Sequence, residues 1–362
     1  MASQSAAEAP LTAAFRTRGV PLAEVTPGLY VPTRFGDAMA EQRATRQAAG
    51  IYDFSFMASF DIEGPDALAF VGRLQTRDVA RLRPGALRYT LLLTDNGQVH
   101  NDASVWNLGG GRYRIVTGRP SDATLIKQRA LGADVTIRRL VGAHAVPSIQ
   151  GPASASILRA LGATALPPFF GFAEATLAGV ACTVARIGYS GELGYELFAP
   201  SREGPALWDA LAAEGRRYGA LECGFEAADA LRIECGFVLF SRELALPVSP
   251  REVGLERLVA PSTPTGTKRH DAGEKRLVGL LPRRNTPPAA GTLAAAVITP
   301  GIGLLTSAAY SALFGRWLAL GYVDAADAYP GTLVELASGG RASVARLPYY
   351  DPFKRRPRES VA

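Results

Sequence analysis

Four short segments of the chain carry residue types that chemistry needs. The first, Gly97-Gln98-Val99-His100-Asn101-Asp102, brings a carboxylate into an otherwise apolar run. A carboxylate so placed either caps a turn or takes a proton from a bound molecule and stabilises positive charge on it. The second, Gly188-Tyr189-Ser190-Gly191-Glu192-Leu193-Gly194-Tyr195-Glu196, spaces three glycines among tyrosines and glutamates. Glycines permit tight turns and close ligand approach, though such a stretch is by itself read as a turn. The third, Asp229-Ala230-Leu231-Arg232-Ile233-Glu234, sets charges on an apolar helix, the usual mark of a helix-surface pair. The fourth is Leu347-Pro348-Tyr349-Tyr350-Asp351-Pro352. Cys182, Cys223 and Cys235 form no Cys-x-x-Cys pair, and His100, His144 and His270 are equally scattered. That spacing excludes a disulfide framework and argues against a metal site, leaving oxygen groups and a bound organic cofactor for any chemistry.

The elements that must position these segments follow from periodicity. Apolar runs at 89–94 and 98–106 flank Asp95-Asn96-Gly97, which predicts a hairpin carrying Asp102 on its second strand. Strand alternation then puts His100 on the same face as Asp102. A helix over 37–49 closes at Gly50, strands follow at 51–57 and 59–62, and Gly64-Pro65-Asp66-Ala67 opens an amphipathic helix. The same unit returns as a strand over 145–150 and a helix opened by Gly151-Pro152-Ala153-Ser154, which predicts an internal duplication. Strands at 113–116 and 180–186 and helices at 208–218 and 227–234 complete this part. Residues 260–272 read as a surface loop or linker. Short strands at 277–281, 294–298, 303–306, 317–322, 333–336 and 342–346 then predict a small β-barrel or sandwich.

The chain of 362 residues, 48% hydrophobic, is long enough for two or three modules. No run approaches ~18 apolar residues without a charge, so no membrane span is expected. The first ten residues lack the pattern of a signal peptide and read as a frayed tail, which places the protein in the cytoplasm. Lys plus Arg number 39 against 33 for Asp plus Glu, a net charge of +6. The one dense basic run, Lys354-Arg355-Arg356-Pro357-Arg358, reads as a solvated tail without the interleaved aromatics of a nucleic-acid binder. The modest positive field favours an anionic small ligand.

Taken in order, the segments resemble the aminomethyltransferase (glycine-cleavage T-protein) superfamily, and look closer to its tetrahydrofolate-dependent demethylase branch. The matching pieces are Arg46-Gln47-Ala48-Ala49-Gly50-Ile51-Tyr52-Asp53-Phe54-Ser55, residues 96–102, Gln150-Gly151-Pro152, residues 188–196 and 227–236, Ser249-Pro250-Arg251-Glu252-Val253-Gly254-Leu255, Leu277-Val278-Gly279-Leu280 and Leu305-Thr306-Ser307. They run from about residue 30 to 352, and the Gly-Tyr-Ser-Gly-Glu block is the specific one. The resemblance implies an α+β fold, a three-domain cloverleaf around a central folate channel with a C-terminal β-barrel-like module. Its parts would be an N-terminal tail (1–29), two intertwined α+β folate-binding modules (30–140 and 141–258), a linker (259–275), the β module (276–352) and a basic tail (353–362).

By position, the resemblance makes Asp102 the catalytic aspartate beside the pterin N5, and Glu196 the glutamate that anchors the aminopyrimidine edge. Tyr89 and Tyr189 would line the pocket, with Thr117 and Arg232 counted among the cofactor-binding residues. His100 is a candidate acid, or tunes Asp102; Tyr52 and Tyr350 are alternatives. The chain departs from the glycine-cleavage enzymes in having Asn101 for an aspartate, Phe56 for a histidine, Ala228 for an arginine and Thr117 for an asparagine. It also lacks their Phe-Ile-Gly segment before the last domain. Asn101-Asp102 and the Tyr-Asp-Pro ending look like the demethylase branch. The expectation is therefore methyl transfer from a small O-, S- or N-methyl donor to tetrahydrofolate. The alternative is a glycine-cleavage aminomethyltransferase served by a lipoyl carrier protein, and a third reading is a non-catalytic folate-binding regulatory protein. Neither nucleic acid nor membrane is an expected partner.

Overall fold

The computed structural model describes residues 9–261, 263, 275–283 and 300–361. The hairpin forms around Gly97 at φ +80°, and the strands Leu87–Leu93 and Val99–Gly109 pair antiparallel. A third strand, Arg112–Thr117, extends the meander and pairs back onto Ala58–Glu63, the strand that began the unit. The helix Ala67–Leu74 joins that first strand to the meander and buries Phe70, Val71 and Leu74 beneath the five-stranded sheet.

The second unit repeats this path. Strand Pro147–Gln150 leads to helix Ser154–Ala160, then to a meander of Phe172–Leu177, Val180–Ala185 and Gly194–Pro200, whose last strand pairs with the first. Both units turn from strand to helix on a glycine of the same conformation, Gly64 at φ +128° and Gly151 at +133°. A Cβ there would lie 2.5 Å from the carbonyl oxygen of Asp134 or of Ala48, so glycine is required twice over. The units are interleaved: Gly50–Asp53, which precedes the first unit, pairs with Pro147–Gln150 in the seven-stranded second sheet. Between the sheets, Phe54, Phe56, Trp106, Phe198 and Phe240 pack in one shared layer.

Both ends of the chain depart from expectation. Residues 9–29, read as part of a tail, form the helix Thr12–Thr17 and most of a hairpin that pairs Leu22–Thr26 with Leu29–Pro32. Leu11 and Phe15, one helical turn apart, are fully buried in the core of the second unit, with Phe15 edge-on to Trp208 at 4.9 Å. Residues 353–361 fold back across the second unit instead of trailing into solvent. There Arg186 donates to the carbonyls of Pro357 and Glu359, and Val361 packs on the core.

Strands Lys275–Pro282, Ile302–Ser311, Arg316–Asp324, Leu333–Leu336 and Arg341–Ala345 close into a barrel. The strand expected at 294–298 and most of the linker lie outside the described residues. The helix Phe225–Glu234 is tied to the barrel by Arg232, whose fully buried guanidinium meets Asp229 at 2.8 Å, Glu243 at 2.8 Å and the Ser307 hydroxyl at 2.6 Å. Arg232 is therefore a structural tie, because each nitrogen of its fork has a partner within the protein and the residue does not line the cavity described below. Replacing it, Arg232→Met, strands Glu243 in the interior and should cost ~3–5 kcal/mol in chemical denaturation; a loss under ~1 kcal/mol would contradict this role.

Candidate active site

A cavity of about 1170 Å³ opens between the two sheets and the C-terminal elements. Of the residues singled out from sequence, Tyr89, Asp102, Thr117, Tyr189 and Glu196 line it, as does Phe56. Asp102 lies on the second strand of the hairpin, opposite Leu91, and Tyr89 reaches across to donate its hydroxyl to Asp102 Oδ2 at 3.0 Å. Burial pushes the Asp102 carboxyl up to about 6 despite that bond. Burial, then the neighbouring Asp102, holds the Tyr89 hydroxyl well above its usual range, so it stays a neutral donor. Tyr189 is anchored by donating to the Val238 carbonyl at 2.6 Å. Thr117, at the end of its strand, donates its hydroxyl to the Arg119 carbonyl at 3.0 Å and steadies the turn that follows.

Glu196 is the unusual member. It is 8% exposed, has no hydrogen-bond partner among the described residues, and is pushed up to about 7 by burial alone. Its strand is held rigidly from behind. The Gln150 side chain accepts from Ser190 at 2.9 Å and donates to Ser148 at 2.8 Å, and it packs directly under Gly188 and Gly194. A Cβ at either glycine would lie 2.0 Å or 2.3 Å from Gln150 Oε1, so a side chain there would push Gln150 off its bonds to Ser148 and Ser190. A carboxylate without a protein donor, facing a cavity, is free to accept paired donors from a ligand, and an aminopyrimidine edge supplies two parallel N–H groups. The residues present thus fit a pterin.

His100 is not part of this wall. The hairpin register slips between Leu92, which faces Asn101, and Leu93, which faces Val99, leaving His100 as the extra residue of a bulge. Alternation fails there, and both His100 Nε2 (3.1 Å) and Asn101 Nδ2 (2.6 Å) turn to the fully buried Asp122. The alternative acids are also engaged elsewhere. Tyr52 is buried 2.6 Å from the Thr45 hydroxyl, and Tyr350 donates to Glu192 at 2.6 Å while stacking on Arg46. Sequence reasoning missed Asp122, which no local signal marks, and Arg186, a single cation within a strand pattern. Gln150 was within reach, standing directly before the recurrent Gly-Pro.

The family models for the GCVT N-terminal domain and the glycine cleavage T-protein C-terminal barrel domain match residues 11–263 and 275–351. The chain belongs to the glycine cleavage T-protein family. It is 31% identical to an aminomethyltransferase of Streptomyces coelicolor over 92% of this chain and 93% of that one. An aminomethyltransferase of Moorella thermoacetica is 32% identical over the same shares. The glycine cleavage system aminomethyltransferase T of Bartonella henselae superimposes with a TM-score of 0.81 at 24% identity, covering 96% of this chain and 99% of that one, and so shares the fold. The chain is a tetrahydrofolate-dependent one-carbon transferase. No helix among the described residues is long and apolar enough to cross a membrane. Two of the departures from the T-protein pattern lie off the cavity wall: Asn101 faces Asp122, and Ala228 is packed in the core. Phe56 and Thr117 are on it.

The Glu196 carboxyl has a distinct pH signature. Its folded pKa of about 7 exceeds the ordinary 4.5, so the folded state holds a proton that the unfolded chain has released. Stability therefore falls as pH rises from about 4.5 through about 7. Thermal melts of Glu196→Gln should lack that part of the decline; identical slopes for both proteins would put the carboxyl in water.

Proposed function

We propose that this chain is an aminomethyltransferase, passing the one-carbon unit of an aminomethyl group carried on a lipoyl-bearing protein to tetrahydrofolate. The observation that carries the folate pose is the pair of desolvated carboxyls, Asp102 and Glu196, on the wall of one cavity. The relatives that span nine-tenths of the chain and bear the name aminomethyltransferase favour this donor over a small methyl compound.

Tetrahydrofolate supplies the nucleophilic nitrogen that takes up the one-carbon unit. Glu196 accepts the aminopyrimidine N–H pair and fixes the ring's orientation, so that pterin binding draws the carboxyl into its ionised form and releases a proton. Asp102, with a pKa of about 6, is ionised at neutral pH yet basic enough to accept the proton that the reacting nitrogen must lose. Tyr89 holds that carboxylate by one hydrogen bond and leaves its other oxygen free for the ligand. Phe56, Phe170 and Phe240 line the cavity with apolar rings that lower the polarity around the reacting centre.

One observation favours the second reading, transfer from a small O-, S- or N-methyl donor. Phe56 presents an apolar surface where the glycine-cleavage enzymes have a histidine, which suits the methyl group and apolar body of such a donor.

Purified protein should release ammonia from an aminomethyl-lipoyl carrier in the presence of tetrahydrofolate. A panel of methoxy-aromatic, sulfonium and methylamine compounds should give no 5-methyltetrahydrofolate, and turnover with the panel alone would reverse the choice. Asp102→Asn should slow transfer ~10²–10⁴-fold; full turnover in that variant would remove Asp102 from the chemistry. Glu196→Gln should weaken tetrahydrofolate binding by ~1.5–3 kcal/mol in calorimetric titration, and unchanged affinity would detach it from the ligand.

A further inference from the structure

Asp122 closes the short turn Pro120–Asp122 and immediately precedes the helix Ala123–Arg129, the position from which an aspartate side chain ordinarily caps a helix. Its carboxylate makes no such bond. It is fully buried and spends both oxygens on the bulged strand instead. Oδ1 meets His100 Nε2 at 3.1 Å, and Oδ2 accepts from Asn101 Nδ2 at 2.6 Å. Arg119 lies alongside. Its Nε is 3.4 Å from Oδ1, an ion-pair contact without a hydrogen bond, while its Nη2 donates to the His100 carbonyl.

Asn101 carries this arrangement through the strand to the reacting centre. Asp102 lines the cavity and Asn101, next in the alternation, does not. The Asn101 carboxamide donates to Asp122 at one end, and at the other its Oδ1 accepts the backbone N–H of Asp102 at 2.9 Å. An amide does both at once. A carboxylate at 101 would meet Asp122 as a like charge, and an apolar side chain would leave the Asp122 oxygen and the Asp102 N–H without this partner. Charge reaches Asp102 from the same side. The groups that face it are Tyr89 on the first hairpin strand, Tyr189 on the glycine-rich loop, and Asp122 and Arg119 from the segment that follows the meander. Burial dominates in raising the Asp102 carboxyl; the Tyr89 hydrogen bond and Arg119 favour its ionised form, and Asp122 opposes it.

We propose that Asp122 is a positioning residue for the transfer reaction: acting through Asn101, it fixes the backbone of Asp102 so that one carboxylate oxygen stays on Tyr89 and the other is presented to the ligand. This rests on the reading of Asp102 as the proton acceptor. A pin between helix and sheet is the plainer role, and the two roles differ in what they move. A pin changes stability. A positioning residue changes turnover while tetrahydrofolate binding holds, because Glu196, on the other sheet, anchors the ring.

The test is steady-state transfer to tetrahydrofolate across the pH range around neutrality, for wild type, Asp102→Asn, Asn101→Ala, Asp122→Ala and Asp122→Asn, with thermal melts alongside. Asn101→Ala and Asp122→Ala should each lower kcat about tenfold or more, with the KM for tetrahydrofolate within about twofold of wild type. Asp122→Asn keeps an acceptor for Asn101 and should recover part of that loss. It also removes the opposing charge, so the acid limb of its kcat profile should lie at lower pH than in wild type. That limb reports Asp102, because kcat reads the ligand complex, in which the bound ring already holds Glu196 ionised. If Asp122→Ala does not fold, the Asn101→Ala and Asp122→Asn variants decide. An acid limb unmoved in Asp122→Asn, or a lowered melt with wild-type kcat in Asn101→Ala, would leave Asp122 a structural pin and overturn the proposal. So would kcat and KM worsening together in Asn101→Ala. Full turnover by Asp102→Asn would remove the proton-transfer reading itself, whereas a slow Asp102→Asn beside unaffected Asp122 variants would remove the positioning role alone.

Discussion

A carboxyl group taken out of water without a donor is costly, and folded proteins rarely leave one so unless something else completes it. Glu196, with no protein donor to its carboxyl, stands at the wall of a cavity that Asp102 shares, and much of the surrounding architecture serves to hold it there. Gln150 braces the loop through Ser190 and fills the space that Gly188 and Gly194 leave open. The strand bearing Glu196 is central in its sheet, flanked by Pro147–Gln150 and Val180–Ala185, so it cannot swing its carboxyl toward solvent. Asp102 is fixed in the same way by Tyr89 and by the bulge that hands its neighbours to Asp122. Two desolvated acids on rigid strands make a template for a ligand carrying donors at one edge and a reactive nitrogen farther along.

Much of this was legible in the chain. The Asn96-Gly97 turn, the recurrent Gly-Pro entry to a helix and the closely spaced C-terminal strands are local signals, fixed by backbone preference, and among the described residues each forms an element where periodicity puts it. The recurrence proved deeper than the short motif suggested, since strand, helix and three-stranded meander repeat in both sheets. What was hidden depends on tertiary partners. No pattern reveals that one residue of a strand is bulged, so His100 was placed on the wrong face. Arg232 looks like a surface charge on a helix until the barrel packs over it. The termini read as solvated because their composition is polar, while a few apolar anchors and one arginine on another element decide otherwise.

The same distinction governs function. Of the features that pointed toward a methyl donor, Asn101 is turned to Asp122 and Tyr350 is held by Glu192 and Arg46, and neither lines the cavity. Phe56 and Thr117 do face the cavity, so of the departures from the family pattern these two are placed to touch a ligand.

The central claim is that one ligand spans both acids, and a crystal structure of the protein with bound tetrahydrofolate tests it directly. The account predicts two aminopyrimidine nitrogens within about 2.7–3.0 Å of the Glu196 oxygens, with Asp102 on the side of the reacting nitrogen. A pterin seated elsewhere, or one that leaves Glu196 facing water, would contradict it.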